Sequence, residues 1–472
     1  MDSAPVLRRV RLRPIAALVT VLAAAASFGI EYVLCELAGS GPQPAILAAI
    51  LALGMTRRAG RRRVPEGVFG ALSVAGVAIA VALVAYLFHL SRYLGAAVFT
   101  GGLFLSVWLR NFEGRLRALG TLIALPLVAI VIVPGPGPGE QTGVLVRIGL
   151  VVCAGFLAYG FRALAARLLA ADAVPEKPAR DGATARPRQP GLSVHTRMAS
   201  QMGVAVGLAF AAGFAFFPEH WGWTVLTAFI VCVGAIGRGD AVYKAVLRLI
   251  GALGGTALAA LVTLAWLPSG PLEAGAIFAI LFVGLLLRDL NYAYWAVCTT
   301  LILALLASGT SASTVALLGM RLEAIVAGAL CAVAATWLVF PIRTEAVVRR
   351  RLADALKAFD DLVVHPHDGD AEYARRHAAF AAALADLDGV APPVMWHRRI
   401  VRWSAAPDHP AGWIDHARRL QPPRIASEAQ RGAIRRAIGR SRKAIGEHGK
   451  PEATITIGAA LAALHETLPG AD

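Results

Sequence analysis

Apolar runs of membrane length constrain the fold of this chain more than any other feature of its sequence. A spanning helix needs about 20 apolar residues, with roughly 17 as the lower limit. A soluble core cannot bury so many runs of this length in a chain of 472 residues, whereas a bilayer can. The sequence therefore predicts an all-α, polytopic membrane protein. We predict membrane helices at residues 14–35, 42–56, 66–88, 94–109, 118–134, 143–162, 198–217, 221–237, 245–267, 271–287, 290–308 and 319–341.

Two stretches of the sequence resemble each other. In residues 95–131 and again in residues 275–308, an apolar helix ends in Leu-Arg-Asn or Leu-Arg-Asp and a second apolar helix follows. Arg147 and Arg321 then open matching apolar runs. Parallel repeats of membrane helices are common in secondary transporters, with the substrate path between the halves. We therefore predict about twelve transmembrane helices in two parallel six-helix repeats.

Shifts in composition indicate four regions. The first repeat covers residues 1–165 and the second covers residues 198–341, while the Pro- and Arg-rich residues 166–197 have no helical period and predict a cytoplasmic linker. After Pro341 the hydropathy falls and charges of both signs appear. The region 342–472 therefore predicts a small cytoplasmic helical domain, with amphipathic helices at 349–363, 371–387, 428–445 and 454–468.

The charge of the chain supports this topology. Hydrophobic residues make up 57% of the sequence and charged residues 16%, and the net charge is +16. Between the predicted membrane helices, basic residues cluster in alternate connections, as in residues 57–63, 110–117 and 238–248, and Arg92 is a lone exception. Cytoplasmic loops of membrane proteins carry this excess. We therefore predict an inner-membrane protein with both termini in the cytoplasm, and no nucleic acid as a partner.

No motif of a soluble enzyme is present. The sequence lacks a phosphate-binding G-x-x-x-x-G-K, an H-E-x-x-H and a G-x-S-x-G. The five cysteines lie in or beside apolar runs, without the spacing of a metal site or a disulfide framework. We expect no enzymatic activity, no cofactor and no metal. The expected partners are a small organic anion and the lipid bilayer, and a second copy of the chain or a periplasmic adaptor protein stays open.

The second half carries a family resemblance. From His220 the sequence has a Trp-containing start, an apolar helix, the pair Lys244 and Arg248, and a Gly-rich R-x-x-G-x-x-G-G. This pattern resembles the fusaric acid resistance family of membrane proteins, which includes aromatic carboxylic acid exporters. The resemblance covers residues 200–343 and, through the internal repeat, residues 42–165 more weakly. The plant aluminium-activated malate channels are distantly similar.

The resemblance implies an inner-membrane transporter that exports small aromatic or other organic carboxylic acids, and we expect the proton gradient to drive it. A passive organic-anion channel and a non-transporting membrane scaffold are the alternatives. Larger exporters of the family carry a sizeable cytoplasmic domain between the halves. Here only a short linker is present, so any role of that domain in coupling is in doubt.

Four basic residues are candidate substrate-binding residues. A guanidinium in hydrocarbon normally faces a cavity or a partner, and Arg binds a carboxylate through two parallel hydrogen bonds. Arg147 and Arg321 occupy matching positions and are predicted to line one path; the alternative is anchoring at the headgroups. Lys244 and Arg248 precede close-packing glycines and are predicted to form a basic vestibule at the cytoplasmic mouth. Ordinary positive-inside anchoring is the alternative for them.

Two acids and two aromatic residues complete the candidate site. Glu31 and Glu323 lie within apolar runs and are predicted to carry the proton coupling; the alternative is pairing with Arg147 or Arg321. Tyr294 and Trp295 are predicted to stack on an aromatic substrate. An interfacial aromatic belt is the alternative for these rings and for the nearby Trp221, Trp223 and Tyr292.

Overall fold

A computed structural model describes residues 4–56, 68–132, 143–169, 192–265, 270–288, 290–307, 314–364, 370–401, 408–421, 427–448 and 455–468. Within these residues the regular structure is helical and contains no strand, as predicted. The chain is therefore all-α over the part described.

Each of the twelve predicted apolar segments overlaps a helix. Six of the described helices are long and apolar enough to cross a membrane, namely Ala4–Leu37, Arg92–Trp108, Val144–Leu169, Val194–Phe216, Arg238–Ala265 and Thr314–Leu338. The described residues thus form a multi-pass membrane protein, whereas the count of twelve spans remains a prediction. The helices are α1 Ala4–Leu37, α2 Gln43–Thr56, α3 Val68–Leu90, α4 Arg92–Trp108, α5 Arg115–Ile132, α6 Val144–Leu169, α7 Val194–Phe216, α8 Trp221–Cys232, α9 Arg238–Ala265, α10 Pro271–Leu287, α11 Tyr292–Ala307 and α12 Thr314–Leu338.

The linker is shorter than the sequence predicted. Helix α6 continues to Leu169 and α7 begins at Val194, so both ends of the predicted linker 166–197 are helical. Amphipathic turns extend each helix past its apolar run, because the backbone hydrogen bonds of a helix do not require apolar side chains. Residues 170–191 of that linker lie outside the described residues.

The region after Pro341 contains six described helices, of which the sequence predicted four. These are α13 Thr344–Val364, α14 Asp370–Asp388, α15 Ala391–Ile400, α16 Pro410–Arg418, α17 Glu428–Glu447 and α18 Ile457–Glu466. The two missed helices, α15 and α16, are only 10 and 9 residues long and each has proline in its first turn. Proline is favourable there because its fixed φ suits a helix start, so it marked a beginning and not a break.

The described residues divide into two compact units. The larger contains helices α1 to α8, α10 to α12 and α9 from Lys244 onward. In it α1, α2 and α6 pack against one another, and so do α7, α8 and α12. Helix α4 packs against α7, and α10 packs against α1. The smaller unit contains Pro341–Asp472 and Ala235–Tyr243.

Glycines let α9 approach α11. A Cβ on Gly255 would lie 2.6 Å from the Cβ of Thr300, and one on Gly251 would lie 3.0 Å from the carbonyl oxygen of Ala293. The sequence predicted this close approach from the R-x-x-G-x-x-G-G motif, and the contacts confirm it. The earlier glycine, Gly251, contacts the earlier residue Ala293, and the later glycine, Gly255, contacts the later residue Thr300. Helices α9 and α11 therefore run in the same direction. The predicted alternation, in which both helices begin at the cytoplasmic side, requires that direction.

The smaller unit has its own apolar core. Helices α13, α16, α17 and α18 contribute buried side chains, including Leu356, Phe359, Trp413, Ile434 and Leu461. Asp408 ties two helix starts together, because its carboxylate accepts hydrogen bonds from the Trp413 indole at 2.6 Å and from the Gly458 amide at 2.8 Å. A carboxylate at a helix N-terminus satisfies amides that have no partner within the helix.

We expect Gly255→Ala to destabilise the membrane unit. The added methyl group would overlap Thr300 and the Val297 carbonyl oxygen, and overpacking of this kind costs about 1–3 kcal/mol. Gly254→Ala is the matched control, because a Cβ there meets only Val297 Cγ2 at 3.4 Å, an ordinary contact. Thermal unfolding of the purified protein in detergent measures both. Equal stability of the two variants would contradict the close approach.

We expect the smaller unit to lose stability as the pH falls below about 6.5. Burial, with the charges of His397 and Arg398, lowers the pKa of His409, and burial with the charges of His465 and Arg419 lowers the pKa of His416. The unfolded chain then binds more protons than the folded one, so stability is full above the ordinary histidine pKa of about 6.5 and falls below it.

Hydrogen exchange in α16, corrected for intrinsic rates, measures this effect between about pH 7.5 and 5.5. The variant His409→Asn with His416→Gln should reduce the pH dependence. His409 Nδ1 accepts a hydrogen bond from the Ala411 amide at 3.1 Å. The side-chain oxygen of Asn can accept the same hydrogen bond, so the substitution keeps the helix cap. The same pH dependence in the double variant would contradict the assignment.

Candidate functional site

Two buried arginines meet at helix α11. Arg248 of α9 donates from Nη1 to Thr299 Oγ1 at 3.2 Å, and Arg321 of α12 donates from Nη2 to the Thr300 carbonyl oxygen at 3.1 Å. Only 1% of Arg248 and 5% of Arg321 is exposed. The charge of Arg248 acts on Arg321. The structure therefore places two positive charges side by side in the interior of the membrane unit.

The free donors of Arg248 have the geometry of a carboxylate site. Its Nε and Nη2 are buried and donate to no acceptor among the described residues. Their N–H bonds lie on the same side of the planar guanidinium and point in the same direction, as the two prongs of a fork. A carboxylate accepts such a fork through two parallel hydrogen bonds. The arrangement is thus suited to binding a carboxylate.

Arg321 is held by an aromatic ring in place of an acid. Its guanidinium carbon lies 4.1 Å from the centroid of the Trp223 ring, a cation–π distance. Its Nε, also buried, has no acceptor among the described residues. Tyr292 acts electrostatically on Arg248, but within the described part of the chain no carboxylate acts on either arginine. A buried charge without a counter-ion is costly, so the pair favours binding an anion.

Both arginines lie well inside their helices. Arg248 follows the first residue of α9 by ten positions and Arg321 follows the first residue of α12 by seven, which correspond to roughly 15 Å and 10 Å along the helix axes. In the predicted topology α9 and α12 begin on opposite sides of the bilayer. Both guanidiniums contact consecutive residues of α11, so they lie at a similar level along that helix.

Glycine also sets the position of α12. A Cβ on Gly328 would clash with the Thr224 carbonyl oxygen of α8 and lie 3.0 Å from Thr227 Cβ. This close contact holds α12 against α8 two turns beyond Arg321. With α12 held there, the Arg321 side chain reaches the ring of Trp223 in the first turn of α8. Small residues thus set the distance between the helices that carry the site.

In the predicted division into halves, the second helix of each half is shorter than a usual membrane span. Helix α2 has 14 residues and α8 has 12, so they are about 21 Å and 18 Å long, against about 30 Å of hydrocarbon. Unusually short segments at matching positions of two halves are typical of substrate sites in transporters. Helix α8 carries Trp223, so the short helix of the second half contributes directly to the arginine site.

Lys244 lies beside the end of α8, which the predicted topology puts at the cytoplasmic side. Its Nζ lies 3.5 Å from the carbonyl oxygen of Val233, at the C-terminal end of α8. A cation there is stabilised by the unpaired carbonyl groups and the helix dipole. Arg248 is buried. Because Arg248 is buried, it does not line the open vestibule predicted for this pair, whereas the role of Lys244 at the cytoplasmic side stays a prediction.

Arg147 and Arg321 lie in different groups of helices. Arg147 is half-buried near the start of α6, which packs against α1, α2 and α3. Arg321 contacts α8 and α11. The structure pairs Arg321 with Arg248, and a role for Arg147 stays a prediction for the first half.

Glu31 is fully buried in α1. The hydroxyl of Ser27, one turn earlier, is buried and has no hydrogen-bond partner among the described residues. The thiol of Cys153 on α6 lies beside the carboxylate. The structure therefore buries this acid in the interior of α1, α2 and α6, and its role in proton coupling stays a prediction.

Glu323 lies on the opposite face of α12 from Arg321. Its side chain is exposed, whereas Arg321, two residues earlier, is buried. Residues two apart do not face each other on a helix. The interpretation that Glu323 pairs with Arg321 is therefore wrong, and Trp223 and Thr300 contact this guanidinium instead.

The predicted aromatic residues do not contact the arginine pair. Tyr294 is 49% exposed. Trp295 packs against Gly284 of α10 and lies under Arg288, with 5.8 Å between the guanidinium carbon and the ring centroid. The aromatic residues at the site are Trp223 and Tyr292. Helical spacing contained the signal, since Tyr292, Ala296 and Thr299 share one face of α11, and Ala296 on that face packs against Gly251 of α9.

A comparison with known families matches this region. Residues 204–335 match the model of fusaric acid resistance protein-like proteins, and the match includes Trp223, Arg248, Thr300 and Arg321. Comparisons with curated proteins and with solved structures gave no match. Residues 204–335 are therefore similar to the fusaric acid resistance protein-like family, as the resemblance predicted.

Proposed function

We propose that this protein is an inner-membrane transporter that exports small organic carboxylates, aromatic ones included, at the expense of the proton gradient. The observation that carries the proposal is the donor fork of Arg248 beside Arg321, with no carboxylate acting on either among the described residues. The family description supports aromatic acids and export, and the distribution of basic residues supports cytoplasmic termini.

We further propose that the two halves are structural repeats. Helices α1, α2 and α6 pack in the same combination as α7, α8 and α12, the corresponding helices of the second half. The contacts of α4 with α7 and of α10 with α1 are also equivalent under exchange of the halves. This packing supports a substrate path between the halves.

The proton site in this proposal is Glu31. It lies in the three-helix core of the first half, whereas the arginine pair lies beside the equivalent core of the second half. A buried carboxyl group that gains and loses a proton is what a proton-coupled carrier requires. Glu323, which is exposed, is the second candidate.

Expression in a transporter-deficient strain tests the function directly. Accumulation of a labelled hydroxybenzoate or of fusaric acid should fall, and growth tolerance to these acids should rise. Unchanged accumulation and tolerance across a broad panel of acids would contradict the exporter.

We expect Arg248→Gln and Arg321→Gln to weaken transport at matched expression by at least about tenfold, since losing one charge from a buried charged contact costs 2–5 kcal/mol. Lysine should restore activity only in part, because it supplies charge without the fork. Arg110→Gln and Arg288→Gln are the controls, being at predicted cytoplasmic helix ends where water and salt screen charge. Arg147→Gln tests whether the matching arginine of the first half takes part in transport. Wild-type transport by both site variants would remove the arginine pair as the substrate site.

We expect Glu31→Gln to separate transport from the proton gradient, because an amide cannot exchange a proton near neutral pH. In proteoliposomes this variant should still equilibrate substrate down its own gradient but should not accumulate it when a pH gradient is imposed. Glu323→Gln is the matched control for a carboxyl group in an exposed position. If Glu323→Gln loses accumulation and Glu31→Gln retains it, the assignment of the proton site is wrong.

A passive organic-anion channel is the second candidate, favoured by a path with two buried arginines. Proteoliposome currents separate the two. Large unitary currents with a reversal potential that follows the anion gradient alone indicate a channel.

A non-transporting scaffold predicts that deleting residues 342–472 abolishes function while the arginine variants have no effect.

A further inference from the structure

The arginine site contains more positive charge than one carboxylate neutralises. Arg248 and Arg321 are both buried, and the charge of Arg248 acts on Arg321. No carboxylate acts on either within the described residues. A bound monoanion would leave one unbalanced charge in a low-dielectric interior, where charge is costly. A dianion would leave none.

The free donors are also distributed over both arginines. Arg248 offers Nε and Nη2, and Arg321 offers Nε. The hydroxyl of Thr300 is buried without a partner as well. The two guanidiniums are fixed to consecutive residues of α11, Thr299 and Thr300, which keeps them within the span of one small molecule. Two acidic groups on one ligand can therefore each meet a guanidinium.

We infer that this site selects small dianions, of the class of aromatic dicarboxylates, over monocarboxylates of the same size. This inference rests on the proposed function, because it assigns the substrate class of the same site. Trp223 contributes by positioning Arg321: its ring face stabilises the guanidinium without neutralising it, so the charge remains available to the ligand.

Matched ligand pairs test the charge preference in the wild-type protein. The probes are phthalate, isophthalate and terephthalate, each compared with its monoamide, which has nearly the same shape and one charge less. Affinity for the purified full-length protein is measured by calorimetry in detergent at about pH 7.5, where both carboxyl groups are ionised. At least one dicarboxylate should bind at least about tenfold more tightly than its monoamide, the effect of one close charge pair.

The ratio of the dicarboxylate affinity to the monoamide affinity, measured in variants, then identifies the arginine that causes the charge preference. In Arg321→Gln the preference for the dicarboxylate should fall toward one, with the monoamide still bound through Arg248. In Arg288→Gln, whose guanidinium lies on Trp295, the preference should be unchanged. Uptake of the labelled pair into proteoliposomes gives the same ratio under transport conditions.

The outcomes distinguish this inference from the proposed function. Equal affinity for dicarboxylate and monoamide in the wild type, with transport of either, overturns the charge preference and leaves the exporter intact. A preference that persists in Arg321→Gln overturns the role of the second arginine. Failure to bind or transport any acid of the panel contradicts the proposed function itself.

Discussion

The membrane unit depends on how two guanidiniums are tolerated in an apolar interior. Arg248 and Arg321 are buried within the described residues without an acid, and a threonine hydroxyl, a backbone carbonyl group and an aromatic ring take its place. These contacts hold each arginine in position but leave its charge unneutralised. A salt bridge would have stabilised the same residues and closed the site to an anion. In our proposal these unneutralised charges are what attracts the anion.

Close helix packing keeps this arrangement in place. Gly251 and Gly255 admit α11 against α9, and Gly328 admits α8 against α12. In a bilayer, helices gain little from the hydrophobic effect when they associate, so contacts between small residues supply the packing. Because these glycines bring α9 against α11 and α12 against α8, the two arginines reach neighbouring residues of α11. A movement that separated α9 from α11 would also separate the donor fork from its support.

The two halves combine opposite charges in comparable surroundings. The first half buries the acid Glu31 among α1, α2 and α6, and the second buries Arg321 where α12 packs on α8. In our proposal the first half handles the proton and the second the anion. Such a division follows from physical necessity, since an acid beside the arginines would pair with them and neither group would then be available to a substrate.

The sequence by itself determined the helices, because apolar runs and local hydrogen bonding act within each segment; all twelve predicted apolar helices are present, and the Gly-rich motif of α9 predicted a close approach. It also indicated that Arg248, Arg321 and Glu31 matter, since charge inside an apolar run is rarely incidental. Only the tertiary structure decided which of these residues meet. Lys244 lies one turn from Arg248, yet it contacts the end of α8, and Glu323 lies two residues from Arg321, yet it faces outward. The position of a residue along its helix can be read from the sequence. The residues that its side chain contacts depend on which helix packs against it, and that is set by residues far apart in the chain.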